Sequence, residues 1–121
     1  MVIKNLLDQA NTNEYFRVVL ATNKSSQLVL MSLLPDEEIG EEVHDLDQIL
    51  YITKGTGQAF LDGQATDISA GDVINVPEGV KHNIVNTGQE SLKLATIYSP
   101  PEHPDGTVHK TKAEAEAAEH H

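Results

Sequence analysis

The stretch GDVINVPEGVKHNIVN, Gly71 to Asn86, decides the fold. Its first part, DVINVP, reads as a short strand. PEG, residues 77–79, is a tight turn, in which Pro sets φ and Gly accepts a positive φ. HNIVN is the returning strand, and alternation puts His82, Ile84 and Asn86 on one face of it.

The same grammar extends in both directions. The runs FRVVLAT, SQLVLMSLL, QILYITK, GQAFLDG, ATDIS and LKLATIYS are short and rich in Val, Ile, Leu and Thr. LLPDE, KGTG, LDGQ, SAGD and NTGQ supply the turns between them. Many short strands at regular spacing predict an all-β sandwich or barrel. NLLDQA, Asn5 to Ala10, predicts one helical turn, and TKAEAEAAE, Thr111 to Glu119, a short C-terminal helix. With no linker or internal repeat, the 121 residues read as a single domain over 1–121, with a barrel core at about 15–98 and a closing loop and helix at 99–119. Hydrophobic residues make up 39% and aromatics 4%, with no Trp, so the core is built of Val, Ile and Leu.

Composition removes several classes of function. With no Cys there is no disulfide framework, thiol nucleophile or thiolate metal ligand. A formal net charge of -11 argues against nucleic acid and anionic membrane as partners. It also weighs against a strongly anionic substrate, and Arg17 is the sole arginine. MVIKNLLDQANTNEYF lacks the basic and apolar regions of a signal peptide, and no run is long enough to cross a bilayer, so the expected location is the cytoplasm.

The central stretch also resembles the second signature of the cupin family, in which Gly, Pro, Gly, His and Asn recur at fixed spacing. Here these are Gly71, Pro77, Gly79, His82 and Asn86. The resemblance implies a jelly-roll β-barrel (a double-stranded β-helix) over roughly 28–98. The family's first signature then falls on GEEVHDLDQILYITKG, Gly40 to Gly55, in altered form. Counted back from Gly55, its Glu position is Gln48, its second His is His44 and its first His is Glu42. Its opening Gly falls on Asp36, with Gly40 nearby. The metal set that the resemblance implies is therefore Glu42, His44, Gln48 and His82.

Two arguments bear on whether this set works. Glu42, His44, Gln48, Leu50 and Ile52 are all even-numbered and share a face if register holds, which places Gln48 inside the barrel beside Leu50 and Ile52. A buried Gln needs partners. The carboxylate lost at position 48 reappears at 42, so the set keeps one carboxylate beside two imidazoles and gains an amide oxygen. Such a set suits one divalent transition metal: Zn, Fe, Mn or Ni. Against this stands the acidic run PDEEIGEE around Glu42, since such runs are commonly just solvated. Glu41, Asp47 and Lys81 should point away, and Tyr51 should face outward.

The family spans isomerases, dioxygenases, epimerases and decarboxylases, so motif and fold do not choose a reaction. Phosphomannose isomerases, which look like a related barrel, hold zinc with the same inventory of two His, one Glu and one Gln. A dioxygenase needs only Fe(II) with open positions. The expected function is thus a metal-dependent small-molecule enzyme of isomerase or dioxygenase type, with a non-catalytic small-molecule-binding or sensor cupin as the alternative. His103 and His109 lie in the Pro-rich segment YSPPEHPDGTVHKTK, expected to pack along the surface or against a second subunit, with a place at the barrel mouth as the other option. His120 and His121 are set aside from the site reasoning. Exposed β edges need cover, so a homodimer is expected.

Overall fold

The computed structural model describes residues 1–119; His120 and His121 lie outside the described residues. In chain order the elements are α1 (Leu6–Thr12), β1 (Arg17–Thr22), β2 (Gln27–Leu33), β3 (Asp47–Lys54), β4 (Thr56–Leu61), β5 (Gln64–Ser69), β6 (Val73–Val76), β7 (His82–Asn86), β8 (Leu92–Ser99), β9 (Val108–His109) and α2 (Lys112–Glu119). Every strand expected from the sequence is present. The two-residue β9 was not foreseen, because VH between Gly106 and Lys110 is too short to show periodicity.

The strands form two antiparallel sheets, one ordered β6-β3-β8-β2-β1-β9 and the other β5-β4-β7. The non-sequential neighbours give the jelly-roll wrapping. Inward residues alternate as the pleat requires: Gln48, Leu50 and Ile52 on β3 are buried, whereas Asp47, Ile49 and Tyr51 are exposed. Between the sheets lies a core that includes Val29, Met31, Leu33, Leu50, Ile84 and Leu94. Burying each such side chain stabilises the fold by about 1.5–3 kcal/mol.

Two glycines show why their positions are restricted. Gly79, in the PEG turn, has φ 84°, as its place in the turn predicted. Gly57 sits so close to β7 that a Cβ there would lie 2.4 Å from the Val85 carbonyl oxygen. Asp36, which stands at the position of the family's opening Gly, has φ 68°. Asp tolerates this left-handed conformation better than most side chains, so the departure keeps the turn.

On the outer face of the large sheet, α1 packs Ala10 against Leu30 and Ala95. Beyond it, Ile49, Tyr51, Val73 and Ile97 remain exposed. None of the helices among the described residues is long and apolar enough to cross a membrane.

Candidate metal centre

The two sequence stretches are tied together by backbone. Glu42 and His82 face each other as an antiparallel bridge and exchange two N–H···O bonds of 2.9 Å. The Gly79 N–H donates to the His44 carbonyl at 2.9 Å, and the Glu78 N–H donates to Asp47 Oδ1 at 2.9 Å. The PEG turn therefore does more than reverse the chain: it holds the acidic loop against β7.

This brings together three of the predicted side chains, Glu42, His44 and His82, whereas the side-chain contact of Gln48 is with Thr96. His44 Nε2 lies 2.7 Å from Glu42 Oε2. The His44 and His82 rings stand 5.1 Å apart, centre to centre. His82 is 4% exposed, and its Nδ1 lies 2.9 Å from the Val80 carbonyl oxygen. That carbonyl can only accept, so Nδ1 donates in this bond and Nε2 is the ring nitrogen left free of it. Gln48 is 2% exposed, and its Nε2 donates to Thr96 Oγ1 at 3.1 Å. Its Oε1 is buried with no hydrogen-bond partner among the described residues. Glu41 and Lys81 point away and pair with each other at 3.1 Å.

Charge is concentrated at the rim. Burial alone would push the Glu42 carboxyl up, but the hydrogen bond from His44 and the charges of His44, Arg17 and His82 outweigh it and hold the group below its usual range. His44 is raised, chiefly by its bond to Glu42, against burial. The acidic run is thus not merely solvated: Glu42 leaves it to pair inward, while Glu41 stays outside.

The Pro-rich segment reaches this rim. Gln27, 1% exposed, clamps it: Oε1 accepts from the Glu102 and His103 N–H groups at 3.2 and 3.0 Å, and Nε2 donates to the His103 carbonyl at 2.7 Å. The clamp sets Glu102 Oε2 3.6 Å from His44 Nδ1 and packs the His103 ring edge-on against Tyr98, centres 5.3 Å apart. Burial raises the Glu102 carboxyl and lowers His103 to about 4. His109 instead accepts a hydrogen bond from Arg17 Nη1 at 3.1 Å. The surface packing expected of this segment therefore holds only in part, because Gln27 gives its backbone a buried anchor.

Glu102, Tyr98, Thr96, Gln27 and Arg17 were absent from the sequence-based set. Arg17 carried a signal, being a lone charge in the apolar run FRVVLAT. Glu102 carried none, because its place depends on a clamp from β2.

Among the described residues, no three His, Cys, Asp or Glu side chains form a ready-made metal-binding group. The fourth donor here is an amide, however, and the set passes a chemical test. It offers a free imidazole nitrogen on His82, an orphaned oxygen on Gln48 and a joined imidazole–carboxylate pair. Behind His44, Glu102 Oε2 lies 3.6 Å from Nδ1, on the side where ligating imidazoles ordinarily have a carboxylate partner.

Residues 29–98 match the Cupin domain family, and the chain belongs to it. It is 43% identical to YrkC of Bacillus subtilis over 125 residues, 97% of this chain and 67% of YrkC. It is 33% identical over 76 residues to an oxalate-binding protein of Thermotoga maritima, 62% of this chain and 63% of that protein. The crystal structure of BH2720 from Bacillus halodurans superposes with a TM-score of 0.94 at 39% identity, covering 96% of this chain and 93% of that one.

Proposed function

We propose that Glu42, His44, Gln48 and His82 hold one divalent transition metal (Zn, Fe, Mn or Ni) and that the protein is a small-molecule enzyme of isomerase or dioxygenase type. The observation that carries this reading is Gln48 Oε1. An amide oxygen buried without a partner among the described residues is costly, and β3 turns Gln48 inward on the same face as Leu50 and Ile52. A metal held there would supply Lewis acidity toward a substrate oxygen or an open position for a small ligand.

The chain's own groups would do the rest. His82 is oriented by Val80. Glu42 supplies the single negative charge. Glu102, whose carboxyl burial raises above its usual range, stands at the rim beside His44. Tyr98, Leu50 and Thr96 are buried around the set and keep bulk water from its inner side.

The second reading, a non-catalytic binding cupin, draws support from the relative described as an oxalate-binding protein. One experiment separates the two. Metal-loaded protein is offered a panel of small sugars and organic acids while proton exchange into heavy water is followed by NMR and oxygen uptake by electrode. Exchange supports the isomerase type and uptake the dioxygenase type. Neither, together with tight ligand binding, supports the binding protein.

We also propose a homodimer, supported by the apolar residues Ile49, Tyr51, Val73 and Ile97 left exposed on the large sheet. A monomer by light scattering at micromolar concentration would remove it.

A further inference from the structure

Lys93 is buried where the fold provides no counterion. It stands on β8, between β3 and β2, on the outer face that α1 covers at Ala95, and is 7% exposed. Its Nζ donates to the Asn13 carbonyl and, at 3.0 Å, to Ser32 Oγ. Among the described residues no carboxylate comes within ion-pair distance of it. These two acceptors match the two N–H bonds of a neutral amine and leave its lone pair unused. The third N–H of an ammonium has no acceptor among the described residues.

Its neighbour across the ladder is a like charge. Lys54 pairs with Lys93 in the β3–β8 register, just past an irregularity between Ile52 and Lys54. Cross-strand partners share a face, and like charges set opposite each other repel. Burial lowers the Lys93 amine below the usual lysine range; the Glu14 charge opposes this and the Lys54 charge adds to it. Desolvation beside a second cation is an arrangement that makes a lysine nucleophilic. A cleft of about 360 Å³ opens onto the amine, lined by Lys93 with Lys54, Glu14, Glu90, Ser91 and Asn11. Asn11 Oδ1 is buried with no hydrogen-bond partner among the described residues. The charged groups facing Lys93 in this cleft, Lys54, Glu14 and Glu90, are of both signs, so an uncharged ligand suits it better than an anion.

We propose that Lys93 is a nucleophilic amine and that this cleft captures a small uncharged aldehyde as an imine. The nitrogen adds to the carbonyl carbon and the carbonyl oxygen takes up a proton. The carbinolamine so formed loses water to leave the C=N bond. Amine and aldehyde thus give imine and water, with no oxidant or reductant. Glu14 and Glu90 stand in the cleft as groups to carry the protons. Asn11 Oδ1 is an open acceptor for the carbinolamine hydroxyl. Neither Glu42, His44, Gln48 nor His82 lines this cleft, so the site goes beyond the proposed metal centre and does not depend on it.

The test treats the folded wild type with acetaldehyde or glycolaldehyde, traps imines with cyanoborohydride, and follows each lysine by peptide mass spectrometry over time. Near pH 7, Lys93 should be labelled about tenfold or more faster than Lys4 and Lys24, which are exposed, because each unit by which an amine's pKa falls exposes about ten times more lone pair. Its rate should also level off at a lower pH than theirs. A lysine that only fastens the end of α1 would be labelled last, in the order of exposure. That order, or a Lys93 rate that rises with pH in step with Lys4 and Lys24, would overturn the proposal. No variant is needed, so a failure to fold cannot obscure the result.

Discussion

His44 Nε2 and Glu42 Oε2 lie 2.7 Å apart, and the residue that positions Glu42 is His82, its cross-strand partner. Three members of the candidate set are thus linked through one backbone bridge and one side-chain bond. Replacing Glu42 by Gln keeps the shape and removes the charge. The Glu42 side chain is 30% exposed, so the loss should be modest, about 1 kcal/mol in unfolding free energy by urea titration. No change would mean that the pair does not form in solution.

Gln27 should matter more than its distance in sequence from the site suggests. Gln27→Ala removes three hydrogen bonds to the Glu102–His103 segment. Hydrogen exchange at the Glu102 and His103 amides is expected to rise at least tenfold, with β3 and β8 unchanged. An equal rise throughout the barrel would show a general loss of stability and contradict a local clamp.

His103 gives a pH signature. Burial lowers it to about 4, and the charges facing it are those of Arg17, Glu42, His109 and His44. The unfolded chain, with the imidazole near 6.5, therefore binds more protons than the folded one between those values, and stability falls as pH drops through that window. His44 acts in the opposite sense: its raised value adds stability below the unfolded pKa that is lost as pH rises through the folded one. His103→Gln isolates the first effect. The fall in Tm from pH 7 to pH 5.5 should be smaller in the variant than in the wild type. An equal fall would show that His103 is not held neutral by the fold.

The strands, the PEG turn and the inward face of β3 were legible in the sequence, because alternation and turn chemistry are local. Gln48, Leu50 and Ile52 are buried together, as their even numbering required. Tyr51 faces out, as its odd number on β3 required. The pairing of Glu42 with His44 was only half legible: residue types suggested a ligand set, but the acidic run around Glu42 suggested solvent. What separated the two was the bridge to His82, a contact forty residues away along the chain. The contribution of Glu102 and His103 was not legible, because nothing near them signals that Gln27 will hold their backbone.

The most direct test of the central claim is the metal content of untagged protein, measured by plasma mass spectrometry beside His82→Ala. After loading with Fe(II), Mn(II), Ni(II) or Zn(II), the wild type is expected to retain about one metal per chain. His82→Ala, and to a lesser degree Gln48→Ala, should lose it while keeping the wild-type circular dichroism spectrum. No retained metal in the wild type, or equal metal in folded His82→Ala, would contradict the claim that Glu42, His44, Gln48 and His82 form a metal centre.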